Sequence, residues 1–150
     1  MIGPKTPKPS KADEKRAYAA VTERDQGRCV RCGHAGNTER DHRQNRMPGN
    51  TVVSNLQLLC GPHLDVDGRM VGGCHSWKTL NPSAAVLEGF AVPRWARPEW
   101  WPAWREDVRS WVLYFDAPDS HGRWWTEITQ ATADLLMSGG NSDELEEGVG

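Results

Sequence analysis

The chain has no apolar run approaching the roughly 20 residues needed to cross a bilayer, and its mean hydropathy is −0.69. A soluble protein with no membrane partner is expected. Nor does an apolar segment follow the early charges of MIGPKTPKPSKADEKR, so no secretory signal is read there and the expected location is a reducing cytoplasm. Disulfides are not expected in that setting, and a 150-residue domain buries roughly 68–70% of its unfolded surface without them. Thiols should then stay free or bind metal. No internal repeat is present, and basic residues almost vanish toward the end. Residues 111–150 hold one Arg against eight acids, whereas residues 1–50 hold 11 Lys and Arg against six acids. A polyanion is drawn to the first half and repelled by the last, a pattern that suits nucleic acid but that ordinary solvation also produces.

Residues 1–10 carry three Pro and two Lys without apolar periodicity and read as a flexible basic arm. Ser10 with Asp13 has the spacing of a capping box, which starts a helix that Gly27 is expected to stop. A Gly-, Asn- and Cys-rich stretch follows, up to CHSW. In NPSAAVLEG, Asn81 is the expected cap, Pro82 the first helical residue and Gly89 the stop. Pro93, Pro98 and Pro102 exclude a continuous helix before about residue 103, in a stretch, 94–111, that holds five of the eight Trp. Beyond it, SWVLYFDAPDSHGRWWTEIT reads as strand, turn and strand. Residues 138–150 are Gly-rich and acidic, and disorder is expected.

The four cysteines are Cys29, Cys32, Cys60 and Cys74, all within 46 residues. A Cys-x2-Cys pair offers two thiolates to one ion, and Zn2+ prefers four such ligands placed tetrahedrally. Thirteen residues, 61–73, separate the last two, but loop closure grows only logarithmically with length, so a bulged loop is tolerated. The competing reading makes the late thiols small core residues and the early pair a redox dithiol. The lack of a βαβ pattern around the pair favours a structural zinc.

Taken in order, CVRCG, DH, NLQLLC and CHSWK resemble the HNH endonucleases, particularly the zinc-bound forms common in bacteriophage genomes. The resemblance covers about Arg24 to Lys78. It implies an α+β fold with a small ββα-metal (His-Me finger) core and a structural zinc on the four cysteines. The N-terminal helix would belong to a nuclease domain at 11–90, followed by a Trp-rich extension with a β-hairpin at 91–137. It further implies that Asp41 and His75 bind a catalytic divalent ion, Mg2+ or Mn2+. His42 becomes the general base and Asn55 the middle motif residue that orders the loop. The implied activity is hydrolysis of DNA phosphodiester bonds, with phage terminase or packaging proteins as partners; the runner-up is a noncatalytic zinc module that binds nucleic acid or serves as an adaptor. The commonest family spacing differs at the second cysteine pair. His63, in the inserted stretch, could therefore replace His75 on the catalytic ion or Cys74 on zinc, or stand by.

Neutral imidazole near pH 7 suits removal of a proton from attacking water, and an ion held by a carboxylate and an imidazole suits neutralisation of phosphate charge. Neighbouring strand residues point to opposite sides, so Asp41 and His42 can serve these two positions separately. Arg40, Arg43, Arg46 and Lys78 are candidate phosphate clamps, since guanidinium forks match phosphate oxygens. Trp77, Trp95, Trp100, Trp101 and Trp104 can stack on bases or pack a small core with the hairpin.

Overall fold

Ser10 starts the first helix, α1 (Lys11–Arg24), through the expected reciprocal cap. Its hydroxyl accepts from the Asp13 amide at 3.1 Å, and the Asp13 carboxylate accepts from the Ser10 amide at 3.0 Å. The computed structural model describes residues 9–139; residues 1–8 of the expected arm and 140–150 of the expected tail lie outside the described residues. The helix ends at Arg24, earlier than Gly27 suggests, and Gln26 and Gly27 both take positive φ.

Two antiparallel strands follow, β1 (Thr38–His42) and β2 (Leu56–Cys60), in a register running from Thr38 opposite Cys60 to His42 opposite Leu56. Every residue of β2 is buried, because both of its faces are covered. Leu56 and Leu58 pack with Val53 against Ala17 and Val21 of α1. Leu59, one position out of phase, packs with Val30, Phe90 and the cysteines on the other side. The stretch at 61–73 is more ordered than a plain loop. It forms a small hairpin of β3 (His63–Leu64) and β4 (Met70–Val71), whose turn is held by Asp65 Oδ1 accepting from the amides of Asp67 and Arg69, each at 2.9 Å.

Helix α2 (Gly73–Leu80) then returns onto β2. Gly73 has φ +85°, and a Cβ there would lie 2.4 Å from the carbonyl oxygens of Cys60 and of Gly61. Only glycine lets Cys74 come this close to the end of β2. A second short helix, α3 (Pro82–Leu87), has Pro at its first position, but Asn81 does not cap it with its side chain. That amide donates instead to the Trp77 carbonyl at 2.9 Å, one of the free carbonyls at the end of α2.

The expected C-terminal hairpin, β6 (Ser110–Tyr114) with β7 (Trp125–Ile128), is part of a three-stranded antiparallel sheet that begins with β5 (Ala103–Arg105). Helix α4 (Gln130–Met137), which the sequence reading did not anticipate, follows with Thr129 accepting from the Thr132 amide at 3.1 Å. No described helix is long and apolar enough to cross a membrane.

A buried ionic cluster joins this sheet to α1 and β2. Asp25 accepts two bonds from Arg24, at 2.8 and 2.9 Å, one from Arg105, and one from the Leu58 amide at 3.1 Å. Arg24 also donates to the carbonyls of Val53 and Leu56. Burial raises the Asp25 pKa, but the two guanidinium partners outweigh it and hold the carboxyl below its usual range. Its contribution to stability is therefore complete at neutral pH and is lost only as the pH falls through that depressed pKa. Asp25→Ala leaves the buried Arg24 without a counter-charge, while Arg105 keeps Asp107 as its partner, so a loss of about 3 kcal/mol is expected in chemical denaturation. A change under about 1 kcal/mol would show that solvent reaches this cluster.

Candidate functional site

The four cysteines come from three places in the chain. Cys29 and Cys32 sit on a tight turn in which the Gly33 amide donates to the Cys29 carbonyl at 2.8 Å; Cys60 ends β2, and Cys74 begins α2. Their sulfurs all lie within 4.8 Å of one another, and Cys32 and Cys60 Sγ are 3.6 Å apart. A tetrahedral ion with bonds of about 2.3 Å places its sulfur ligands about 3.8 Å apart, so donor type and spacing both suit zinc. The Cys74 amide donates to Cys60 Sγ at 3.2 Å, and Arg31 donates to Cys74 Sγ at 3.4 Å.

Four thiols this close cannot ionise together without a cation. A hydrogen bond from Cys74 pulls the Cys29 pKa down to about 4, whereas that same bond pushes Cys74 well above the usual thiol range. Burial pushes Cys60 up to about 11. The set could hold one metal ion, with the Arg31 guanidinium, stacked 3.5 Å from the Trp77 ring centre, offsetting part of the negative charge. His63 stands apart. Its ring stacks on His34 at 3.6 Å and its Nδ1 donates to the Gly61 carbonyl at 2.8 Å.

Asp41 and His42 are neighbours on β1 and, as expected for a strand, serve different places. The Asp41 carboxylate faces α2. Its Oδ2 accepts from Lys78 Nζ at 2.6 Å and Gln57 Nε2 at 2.9 Å, which leaves Oδ1 turned to His75 Nε2, 3.3 Å away. His75 Nδ1 lies 3.0 Å from Glu39 Oε2, and a proton on that nitrogen leaves Nε2 with its lone pair toward Asp41. Two ligands 3.3 Å apart, each about 2.1 Å from an ion, subtend about 100°, an ordinary angle for adjacent ligands of a small divalent cation. Asp41 and His75 thus fit such an ion. Glu39 and Gln57 were missed in the sequence, although Glu39 sits two residues before Asp41 and strand alternation puts both on one face.

His42 is half-buried, with Nε2 2.9 Å from Thr51 Oγ1 and its ring edge-on to Tyr18. Burial lowers its pKa below 6.5, and the nearby charges of Arg46 and Lys78 act in the same direction against Asp41. The imidazole is accordingly neutral at pH 7 and able to accept a proton. Asn55 does not touch these groups. It is wholly buried, with Oδ1 accepting from the Gln44 amide at 2.7 Å and Nδ2 donating to the carbonyls of Gln44 and Asn50. It positions the segment that leaves β1.

These side chains line a cleft of about 780 Å³, whose rim includes Arg40, Arg46 and Arg94 and whose acidic lining among the described residues is Asp41 alone. Two expected phosphate clamps are placed differently. Arg43 is 1% exposed and donates to the carbonyls of Ser54, Pro98 and Trp101, so it holds the wall of the cleft together. The Lys78 side chain is 11% exposed and its ammonium is bound to Asp41 and the His42 carbonyl. Arg94, exposed on the rim, was not foreseen. Most of the tryptophans pack: Trp101 is buried, and Trp77 and Trp104 lie against the cysteine cluster.

Fold and site together define a small α+β protein with short antiparallel sheets, in which four cysteines able to hold a metal ion adjoin a basic cleft. No family model, curated protein or solved structure matches the chain.

Proposed function

We propose that this chain is a metal-dependent DNA endonuclease of the HNH type, with β1, β2 and α2 as a ββα-metal core and a structural zinc on the four cysteines. The observation that carries this reading is the convergence of Asp41 and His75, 3.3 Å apart, with a neutral His42 on the wall of the same basic cleft. A bound divalent cation supplies Lewis acidity toward the phosphate and the departing oxygen. Asp41 and His75 would hold it, with Glu39 and Gln57 fixing their orientation. His42 takes the proton from the attacking water, and Thr51 sets the angle of its ring. Arg40, Arg46 and Arg94 bind the flanking phosphates, whose charges accumulate where the rim is basic.

Supercoiled plasmid incubated with the protein and Mg2+ or Mn2+ should be converted to nicked or linear forms, and chelator should stop the conversion. Plasmid that stays supercoiled under all divalent ions would overturn the reading. One observation favours a noncatalytic zinc module instead, namely the ammonium of Lys78 resting on Asp41; the same assay separates the two. Within the nuclease reading, Glu39→Gln should raise the Mn2+ concentration needed for half-maximal cleavage roughly 10- to 100-fold. Its melting temperature should hold, because Glu39 is only half-buried. An unchanged Mn2+ requirement would show that His75 is oriented without Glu39.

A further inference from the structure

We propose that Trp95 is a stacking platform for an unpaired nucleobase, so that the cleft takes DNA with a single-stranded or unpaired segment beside the scissile phosphate. The role of the cleft rests on the endonuclease reading; the stacking itself does not. Trp95 follows Arg94, which lines the cleft, and it is 69% exposed, against 4% for Trp101. A lone exposed apolar residue is ordinary. This one, however, is fixed in place. Its ring is held edge-to-face on Trp101 with centroids 5.5 Å apart. Its loop is clamped by Gln44 Nε2, which donates to the carbonyls of Pro93 at 3.0 Å and Ala96 at 2.8 Å.

Gln44 is buried and lies two residues beyond His42, and the Val92 amide donates to the Arg43 carbonyl at 2.9 Å. The loop that presents Trp95 is thus tied at two points to the segment leaving the strand of the proposed base. A platform already held in this way loses little side-chain freedom when a ligand stacks on it. The chemistry of the neighbours selects the ligand. Arg94 is exposed and makes no ion pair among the described residues; with Arg40 and with Arg46, whose guanidinium lies 3.7 Å from Glu14, it offers cations to a phosphate chain. An indole next in the chain to one of these cations matches alternating phosphates and bases in single strands. Bases within an intact duplex already stack on one another, and an exposed ring gains a partner only where a base is unpaired or extruded.

The test uses the full chain carrying His42→Ala, so that bound DNA is not cut. Short labelled oligonucleotides are titrated at one salt concentration, one single-stranded and one a blunt duplex, and binding is read by fluorescence anisotropy. Adding Trp95→Ala should weaken single-strand binding roughly 10-fold and blunt-duplex binding by less than roughly 2-fold, while Trp95→Phe keeps most of the affinity. Its salt dependence should not change, since no charge is lost. A strand carrying 2-aminopurine should be quenched by the protein with Trp95 and not by the Trp95→Ala form. Equal losses on both DNAs, no loss on either, or unchanged quenching would overturn the proposal and leave Trp95 as a contact for a protein partner. Plasmid left uncut by the wild-type chain, with the stacking preference intact, would overturn the endonuclease reading alone.

Discussion

Cys32→Ser is expected to unfold the centre of the molecule and release its zinc. Structural zinc supplies on the order of 10 kcal/mol of binding free energy, which matches the whole stability of an ordinary domain, about 5–15 kcal/mol. The region it serves has little else to hold it, because among the described residues the core around the cysteines contains only Val30, Leu59 and Phe90 besides the thiols, with Trp77 and Trp104 at its edge. Cys32 is the exposed member of the four, so replacing its sulfur by oxygen removes a ligand while disturbing almost no packing. The wild-type chain should carry about one zinc per molecule by elemental analysis, and strong chelator should abolish its cooperative melting. A Cys32→Ser protein that melts like the wild type, or a wild-type protein without zinc, would remove the scaffold on which α2 and therefore His75 are placed.

His42→Ala is expected to slow DNA cleavage roughly 100-fold or more, the size of a lost proton transfer, with DNA binding retained. Binding should survive because the rim cations Arg40, Arg46 and Arg94 are untouched. Asp41→Ala and His75→Ala should fail in a different way. On the nuclease reading each would remove a ligand of the divalent ion, so raising Mn2+ should restore part of their rate, whereas no concentration of ion restores His42→Ala. Wild-type cleavage by His42→Ala would assign the base elsewhere and reduce its bond to Thr51 to a structural contact.

Several parts of this arrangement are legible in the sequence, and they share one property: each depends on residues close together in the chain. The Ser10–Asp13 cap, the pairing of Cys29 with Cys32 and the opposed directions of Asp41 and His42 follow from local geometry alone. The gathering of Cys60 and Cys74 with the first pair was also accessible, because four thiols in a reducing setting point to one ion.

What tertiary structure decided is where each charge ends. Arg40, Arg43 and Arg46 look alike in the sequence, yet Arg43 is drawn inward because carbonyls at 54, 98 and 101 converge on it, and no spacing rule reports a meeting of residues so far apart. Lys78 was expected to reach for phosphate and instead neutralises Asp41, since α2 packs over β1 and β2. Glu39 acquires its role only when that packing brings His75 to it. Trp101 and Trp95 differ for the same reason, one covered by its neighbours and the other left exposed. Local sequence thus determined which chemical groups are present and how short segments turn. The burial of a charge or a ring is settled by partners tens of residues away, and so only the folded chain distinguishes the groups that hold the cleft from those that face its ligand.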